Sequence, residues 1–182
     1  MIDTHLHILP GIDDGPETLQ ESLALAEALV QEGIRVAVAT PHYNDEFVHS
    51  SAAEVQGRVY ELKRELDRHN IPLCIFAGHE ALIQPGLVED IQAGRIATLN
   101  GSRYLLLELM QGNSARLCAE TLLKKGLIHC IGSDAHGLHK RPPGVTDGLR
   151  RAIELVGREC VNYMVETRPA TIINNEMCSV KI

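Results

Sequence analysis

Nine histidines occur in this 182-residue chain, and several of them stand beside a carboxylate where a predicted strand runs into a loop. Imidazole and carboxylate groups together suit divalent zinc, manganese or iron, whereas calcium and magnesium prefer sites built from oxygen atoms. These groups recur once per strand-and-loop unit, which favours a site that binds several metal ions. The residues concerned are Asp3, His5 and His7 in IDTHLH, His42 in ATPHYN, Glu80 in AGHEA, Glu108 in LLLEL, and Asp134 with His136 in GSDAHG.

The first motif places two histidines on one side of a strand. Side chains alternate along a strand with a period of two, so His5 and His7 face the same way and could hold one metal ion. A His-x-His pair alone is a weak signal, but Asp3 at the start of the same strand strengthens it. Asp134 and His136 repeat this spacing after another apolar strand.

Two carboxylates close apolar strands in the middle of the chain. Glu80 and Glu108 each follow a run of apolar residues, where an unpaired carboxylate is costly and requires a cation or hydrogen-bond donors. His42 follows Pro41, and by itself it is equally well explained by a hydrogen bond to the backbone. The two glutamates therefore strengthen the prediction of a metal site more than His42 does.

The remaining histidines lack such neighbours. We expect His69 on the surface at the end of a helix and His129 in the core or on a strand face. His139 lies in a loop from which it could contact a substrate.

The segments that must position these residues read as strands alternating with helices. The strands are continuous apolar runs, which is typical of a parallel sheet covered by helices, and this predicts the α/β class. In such folds the loops after the carboxyl ends of the strands carry the active site, and every candidate ligand lies there. The predicted strands are MIDTHLH, RVAVAT, PLCIFAG, YLLLEL and LIHCIG; the predicted helices cover the apolar spacings within 19–30, 55–66, 115–122 and 145–156, with Pro16 near the first helix start.

Length and composition limit the class of protein. A chain of 182 residues with 45% hydrophobic residues fits one domain, 1–182. A net charge of -7, 3% aromatic residues and no tryptophan argue against a nucleic-acid surface. We expect no membrane insertion, because no apolar run approaches a bilayer span and no signal segment is visible. Five cysteines without a Cys-x-x-Cys pair favour a reducing, cytoplasmic location.

Taken in order, the motifs resemble those of a known superfamily. DTHLHILPGIDDGP, ATPHYN, GHE, LLLEL and GSDAHG followed by RPP are similar to the polymerase-and-histidinol-phosphatase (PHP) superfamily. More narrowly, they resemble the bacterial manganese-dependent protein-tyrosine phosphatases that accompany exopolysaccharide-synthesis tyrosine kinases. The resemblance covers nearly the whole chain and implies a distorted (β/α)7 barrel with three metal ions at the carboxyl-end mouth.

The resemblance also implies roles for individual residues. Arg141 in KRPP matches the arginine that grips phosphate, and Arg141 and Asp134 are the residues expected to act in catalysis. Mn2+ is the implied cofactor, and other divalent metals fit the same donors. The implied ligands are His5, His7, Glu80 and Asp134 for the first ion, Glu80 and Glu108 for the second, and Asp14, His42 and His136 for the third.

One stretch of the family pattern is absent from this chain. Family members carry a His-Pro-Glu-Arg motif after the strand that ends at Glu108; its histidine completes the second metal site and its arginine contacts phosphate. Here LLLELM continues directly into QGNSARLCAETLLKK. A βα unit needs about 30 residues and a barrel about 250, so the barrel is expected to be short by about two units. A deletion near 110–112 explains the missing units, as would residues absent from the sequence. His79 or His139 could replace the missing histidine as a metal ligand.

These features predict an enzyme that hydrolyses phosphotyrosine in proteins, with the tail of a bacterial tyrosine kinase as substrate. The cysteine-dependent route is excluded, because no cysteine is followed six positions later by arginine. A histidinol-phosphate-type small-molecule phosphatase remains an alternative, as does a catalytically impaired relative that binds the kinase tail. We expect fewer than three metal ions, and exposed strand edges make a homo-oligomer possible.

Overall fold

Strands and helices alternate along most of the chain. The computed structural model describes residues 1–44, 50–82, 87–108, 123, 124, 126, 128 and 130–175. The strands are β1 (Ile2–Leu6), β2 (Val36–Ala39), β3 (His42–Tyr43), β4 (Cys74–Ala77), β5 (Glu80–Leu82) and β6 (Leu106–Glu108). The helices are α1 (Leu19–Gln31), α2 (Ala52–Arg68), α3 (Leu87–Gln92), α4 (Val145–Val156), α5 (Arg158–Asn162) and α6 (Arg168–Ile173), with a 3-10 turn at Leu99–Gly101 and a π-helical turn at Tyr163–Thr167.

The strands of the described residues form two three-stranded sheets, ordered β1-β2-β4 and β3-β5-β6. All of their pairings are parallel, which confirms the predicted α/β arrangement with parallel sheets. β2 and β3 are separated at Pro41, which has no N–H to donate to a strand partner. β4 and β5 are separated at Gly78 and His79, whose N–H groups donate to the carbonyl oxygens of Ala39 and Ala97. Within the described part of the chain the two sheets do not close into a barrel.

The start of α1 is set by a capping box. The N–H of Glu21 donates to the Thr18 hydroxyl, and the Glu21 carboxylate accepts the N–H of Thr18. The helix therefore begins at Leu19, and the prediction that it starts near Pro16 is corrected by three residues. Pro16 lies instead in the turn that precedes the cap.

The predicted apolar face of α2 is confirmed. Its four apolar side chains pack into the main core beneath the sheet β1-β2-β4. Burial of one such side chain contributes about 1.5–3 kcal/mol to folding, so this face holds the sheet against the helix layer. The four residues are Val55, Val59, Leu62 and Leu66.

One predicted strand is not observed. In LIHCIG the described residues have no strand pairing, and a single parallel bridge joins Leu6 to Ala135 just beyond it. Positions 127 and 129 of this run lie outside the described residues.

The helix predicted within 145–156 is confirmed as α4, and Gly157 follows it with a positive φ of 85°. The helix predicted within 115–122 and the placement of His129 lie outside the described residues. Among the described residues, no helix combines the length and apolar character needed to cross a bilayer.

Candidate metal centre

One cluster of imidazoles and carboxylates lies where β1 and β6 end and where β3 and β5 begin. His42 and Glu80 are paired in register between β3 and β5, so Glu80 opens β5 and does not close β4 as expected. The ligand atoms fall into three overlapping groups, within each of which all atoms lie within 4.8 Å of one another. The residues brought together are those that the sequence analysis named: His5, His7, Asp14, His42, Glu80, Glu108, Asp134 and His136.

The first group comprises His5, His7, Glu80 and Asp134. His5 Nε2 lies 3.1 Å from Glu80 Oε1, 3.2 Å from Asp134 Oδ1 and 3.3 Å from His7 Nε2. His7 Nε2 lies 3.2 Å from the second oxygen of Glu80. Atoms that bind one metal ion at about 2.1 Å lie about 3.0–3.4 Å apart, so these distances suit a shared cation.

Asp13, which the sequence analysis did not single out, orients His7. Its Oδ2 accepts a hydrogen bond of 2.7 Å from His7 Nδ1, and both side chains are fully buried. The same oxygen accepts the N–H of His42, and Oδ1 accepts the N–H of Gly15. With the proton on Nδ1, Nε2 of His7 is available to a metal ion, which is the usual arrangement for a ligating histidine. The adjacent carboxylate in Asp13-Asp14 was the available sequence signal.

The second group comprises His7, Asp14, His42 and His136. Asp14 Oδ1 lies 3.1 Å from His136 Nε2 and 3.4 Å from His42 Nε2. The ring of His136 stacks on that of His7, and its Nδ1 donates to the carbonyl oxygen of Asp134 at 2.9 Å. That hydrogen bond places the proton on Nδ1 and leaves Nε2 free to accept a cation.

The third group comprises His42, Glu80 and Glu108. His42 Nδ1 lies 3.2 Å from Glu80 Oε2 and 3.5 Å from Glu108 Oε2. The two ring nitrogens of His42 thus face two different groups. This chain lacks the His-Pro-Glu-Arg motif and its histidine. Within this group of described residues, His42 Nδ1 is the nitrogen that faces the carboxylates of Glu80 and Glu108.

The donor atoms of this cluster fit divalent cations. Asp14 Oδ1, Glu108 Oε2 and His136 Nε2 are buried and make no hydrogen bond to any described residue. Carboxylates and imidazole lone pairs that face one another repel without a positive charge between them. The groups found in the described residues contain nitrogen and oxygen donors and no thiolate, a set that suits Mn2+, Fe2+ or Zn2+.

Asp3 holds the loop of residues 133–136, which carries Asp134 and His136 and is called the ligand loop, against β1. Asp3 itself belongs to none of the ligand groups found among the described residues. Its Oδ1 accepts the N–H groups of Ser133 at 2.9 Å and His5 at 3.2 Å, and burial raises the pKa of Asp3. Gly132 allows this close approach, because a Cβ there would lie 2.6 Å from the Cβ of His5. The left-handed turn at Asp134 follows and brings its carboxylate to His5.

Arg141 borders the cluster on its solvent side. Its Nη1 lies 2.7 Å from Asp134 Oδ2 and its Nη2 3.2 Å from Asp14 Oδ2, with 44% of the side chain exposed. Its backbone carbonyl accepts the N–H of His136, which ties the arginine to the ligand loop. A guanidinium at the mouth of such a cluster suits bidentate binding of phosphate.

The other histidines of the described residues lie outside the cluster. His79 is buried, its Nδ1 accepts the N–H of Ala97 at 2.8 Å, and its Nε2 lies 3.4 Å from Ser50 Oγ. It is a core residue and belongs to none of the ligand groups found among the described residues. His69 is exposed at the end of α2, as predicted, and His139 is exposed in the loop before Arg141.

In the metal-free chain the pKa of His7 lies well above the usual histidine value. Burial lowers the pKa of His7, but the hydrogen bonds to Asp13 and Glu80 outweigh it and raise this pKa to about 9. Burial raises the pKa of Glu80, but His5 and His7 hold it well below its usual range. A histidine whose pKa is higher in the folded than in the unfolded chain stabilises the fold. This stabilisation is fully present below the unfolded pKa of 6.5 and is lost as the pH rises through the folded pKa of about 9.

We therefore expect the free energy of unfolding of the chelator-treated protein to fall by about 3 kcal/mol between pH 6.5 and about pH 10. Urea denaturation at the two pH values measures this change. Asp13→Asn removes the charge that holds the proton while keeping the side-chain size, so its stability should depend less on pH. Equal pH dependence of the two proteins would contradict the protonated state of His7.

Known proteins are similar to this chain in sequence and in fold. The profile of the family described as capsular polysaccharide synthesis, CpsB/CapC, matches residues 1–116 and 110–174. The chain belongs to the CpsB/CapC family. Tyrosine-protein phosphatase YwqE of Bacillus subtilis is 36% identical over 108 residues, which are 59% of this chain and 42% of YwqE. Tyrosine-protein phosphatase CpsB of Streptococcus agalactiae is 23% identical over 240 residues, covering 96% of this chain and 99% of that protein.

A solved structure shares the fold of this CpsB/CapC chain. It comes from crystal structures of YwqE from Bacillus subtilis and CpsB from Streptococcus pneumoniae, described as unique metal-dependent tyrosine phosphatases. The TM-score is 0.83 at 24% identity, over 98% of this chain and 96% of that one. The resemblance inferred from the motifs is confirmed by the family match, and the structural likeness confirms the mixed α/β fold.

This member of the CpsB/CapC family is internally shorter than its streptococcal relative. The alignment with the Streptococcus agalactiae protein spans 240 positions and this chain has 182 residues, so at least 58 positions have no counterpart here. The two matches of the family profile overlap at residues 110–116. This overlap lies just after Glu108, where the His-Pro-Glu-Arg motif is missing. The chain also aligns with less than half of YwqE.

Proposed function

We propose that this chain binds divalent metal ions and hydrolyses phosphotyrosine in proteins of bacterial exopolysaccharide synthesis. One observation carries the proposal: three overlapping sets of imidazole and carboxylate donors lie beside the guanidinium of Arg141. The relatives named tyrosine-protein phosphatases support the substrate class.

The proposed cofactor is Mn2+, because mixed nitrogen and oxygen donors suit it. The ligand groups of the described residues contain no thiolate, which would favour a softer metal. Bound ions of this kind lower the pKa of a bound water toward neutrality and offset the charge of phosphoryl oxygens. The proposed ligands are His5, His7, Glu80 and Asp134 for one ion, Asp14, His42 and His136 for another, and Glu80 with Glu108 for part of a third.

Arg141 and Asp134 are proposed to act on the substrate side of the centre. The guanidinium of Arg141 donates to Asp134 and to Asp14, so an entering phosphate would compete with these carboxylates for its N–H groups. Two parallel N–H bonds would orient the phosphate and offset the charge on its non-bridging oxygens. Phosphotyrosine is a suitable monoester, because a phenol with a pKa of about 10 leaves with little protonation.

We infer that residues 1–182 form one domain, a distorted (β/α)7 barrel of the PHP type shortened by about two βα units. The at least 58 positions without a counterpart support this, since a βα unit needs about 30 residues. The proposed substrate is the tail of a bacterial tyrosine kinase, and the proposed location is the cytoplasm. The free thiols of Cys74 and Cys160 support a reducing compartment.

The internal shortening favours a second candidate, a catalytically impaired relative that binds the phosphorylated tail without turnover. Assays of the Mn2+-loaded protein on p-nitrophenyl phosphate, a phosphotyrosine peptide and histidinol phosphate separate these functions. Peptide hydrolysis that is lost with a chelator and restored by Mn2+ would support the phosphatase. Hydrolysis of histidinol phosphate alone would assign a small-molecule phosphatase, and peptide binding without hydrolysis would assign the impaired relative.

We expect the chain to bind fewer than three metal ions and to self-associate. Within the described part of the chain β6 pairs only with β5, and its Leu107 is 48% exposed; an open strand edge with an apolar side chain favours pairing with another chain. Elemental analysis and sedimentation velocity measure both properties, and Leu107→Lys should weaken self-association without changing metal content. Three ions in a stable monomer would contradict the prediction and assign a full ligand role to His42 beside Glu108.

A further inference from the structure

The residue between the two candidate ligands His5 and His7 is held by one residue that follows β2. The N–H of Leu6 donates to the hydroxyl of Thr40 at 3.0 Å. The carbonyl oxygen of Leu6 accepts the N–H of Thr40 at 2.8 Å and its hydroxyl at 3.5 Å. Leu6 and Thr40 are both 0% exposed, so water does not reach these groups. Both backbone polar groups of Leu6 are therefore satisfied by Thr40.

The pairing of β1 with β2 is irregular at the same place. Asp3 pairs with Ala37 and Leu6 pairs with Ala39, so β1 contains one residue more than β2 between these pairs. One extra residue in one strand is a β-bulge, which bends the strand and re-aims its side chains, often beside an active site. His5 lies within the irregular stretch, and the direction of its imidazole therefore depends on what holds the bulge.

The segment that carries Thr40 also contacts the part of the chain that presents Glu80. The carbonyl oxygen of Pro41 accepts the N–H of Glu80 at 3.1 Å. The methyl group of Thr40 packs close to Gly78, where an added Cβ would lie 3.3 Å from it. Thr40 and Pro41 therefore lie between the end of β1 and the start of β5, whose side chains meet in the first ligand group.

We propose that Thr40 is a positioning residue of the metal centre, whose hydroxyl holds Leu6 in the bulge so that His5 and His7 reach one metal ion together with Glu80. The inference rests on the metal binding in the proposed function and not on the substrate. Valine has nearly the shape of threonine but no hydroxyl, so it would fill the same buried space and leave the N–H of Leu6 without its acceptor. The hydroxyl is therefore the group to test.

Calorimetric titration of the metal-free protein with Mn2+, below the melting temperature of every variant, measures this role without turnover. Thr40→Val should weaken Mn2+ binding at one site by about 10–100-fold, as changes at residues that support metal ligands do. Thr40→Ser keeps the hydroxyl and should bind Mn2+ like the wild-type protein.

Ser22→Ala is the matched control for a loss of stability alone. Ser22 is also 0% exposed, and its hydroxyl donates to the carbonyl oxygen of Thr18 at 3.3 Å at the start of α1. This variant should lower the melting temperature, as Thr40→Val should, but it should leave the affinity for Mn2+ unchanged. Thr40→Cys offers a weak sulfur acceptor and replaces Thr40→Val if that variant does not fold; it should bind Mn2+ more weakly than Thr40→Ser.

Wild-type affinity for Mn2+ in Thr40→Val, or in Thr40→Cys in its place, would overturn the inference, because Thr40 would then support only the fold. An equal loss in Thr40→Ser, or an equal loss in Ser22→Ala, would also overturn it, since the hydroxyl of Thr40 would not be the group that matters. A selective loss in Thr40→Val in a protein that hydrolyses no phosphomonoester would support the positioning role while contradicting the proposed catalysis. A wild-type protein that binds no Mn2+ would contradict the proposed metal centre and this role with it.

Discussion

Replacing His5 by Ala is expected to remove one metal ion and to lower metal-dependent kcat/KM by more than about 100-fold. Changes at residues that only support a metal ligand cost about 10–100-fold, and His5 Nε2 lies 3.1–3.3 Å from three other donor groups. Its side chain is 20% exposed, so the space left by alanine is open to water. The fold should therefore persist while the first ligand group is incomplete.

Elemental analysis, Mn2+-dependent hydrolysis of p-nitrophenyl phosphate and thermal unfolding measure these three properties in one preparation. His69→Ala is the matched control, because this histidine is exposed at the end of α2 and should leave all three unchanged. Full activity with unchanged metal content in His5→Ala would refute the assignment of the first group.

His7→Ala should behave differently from His5→Ala. In the metal-free chain it removes the imidazole partner of the buried Asp13 carboxylate, which keeps only the N–H groups of His42 and Gly15 as donors. Breaking a buried ion pair on one side destabilises a fold by up to about 3–5 kcal/mol. Asp13→Asn keeps the volume but replaces the acceptor that orients His7, so it should weaken Mn2+ binding by about 10–100-fold. The two variants separate loss of a ligand from loss of its orientation.

Arg141→Lys is expected to bind metal ions normally and to lose about 100-fold or more in kcat/KM. Lysine retains the positive charge but lacks the planar fork that can donate two parallel hydrogen bonds to a phosphate, and loss of one such donor to the transition state costs about 100-fold or more. The side chain is 44% exposed, so the change should have little effect on stability. Steady-state kinetics with metal analysis tests the prediction.

Arg150→Lys is the control for this change, because Arg150 is exposed on α4 and pairs with Asp147 on the same helix. It should retain wild-type kinetics and metal content. If Arg141→Lys did so as well, Arg141 would be only a surface charge that pairs with Asp14 and Asp134. A loss of metal from Arg141→Lys would instead indicate that the arginine organises the ligand loop.

The sequence by itself determined the regular elements and the choice of candidate ligands. Apolar spacing predicted α1, α2 and α4, because the face of a helix that packs on a core must repeat every three to four residues. The spacing of His5 and His7 placed both rings on one side of β1, because strand side chains alternate. The absence of the His-Pro-Glu-Arg motif was likewise readable directly, and the alignment with the streptococcal relative places the shortening inside the chain.

Only the tertiary structure decided which of several equivalent residues face the centre. Asp13 and Asp14 are neighbours with the same side chain, yet the turn before α1 directs one to His7 and the other to His136. Asp3 continues the spacing of His5 and His7, but it accepts backbone N–H groups below the ligand loop.

The strand predicted in LIHCIG lies partly outside the described residues, and its described positions, 128 and 130–132, show no strand pairing. An apolar run becomes a strand only where a neighbouring strand offers backbone partners over several residues. Among the described residues, one isolated parallel bridge joins Leu6 to Ala135, just beyond this run. Partners and orientations of this kind depend on contacts between residues far apart in the chain, which local spacing does not encode, whereas helical and strand periodicity is set by neighbours along the backbone.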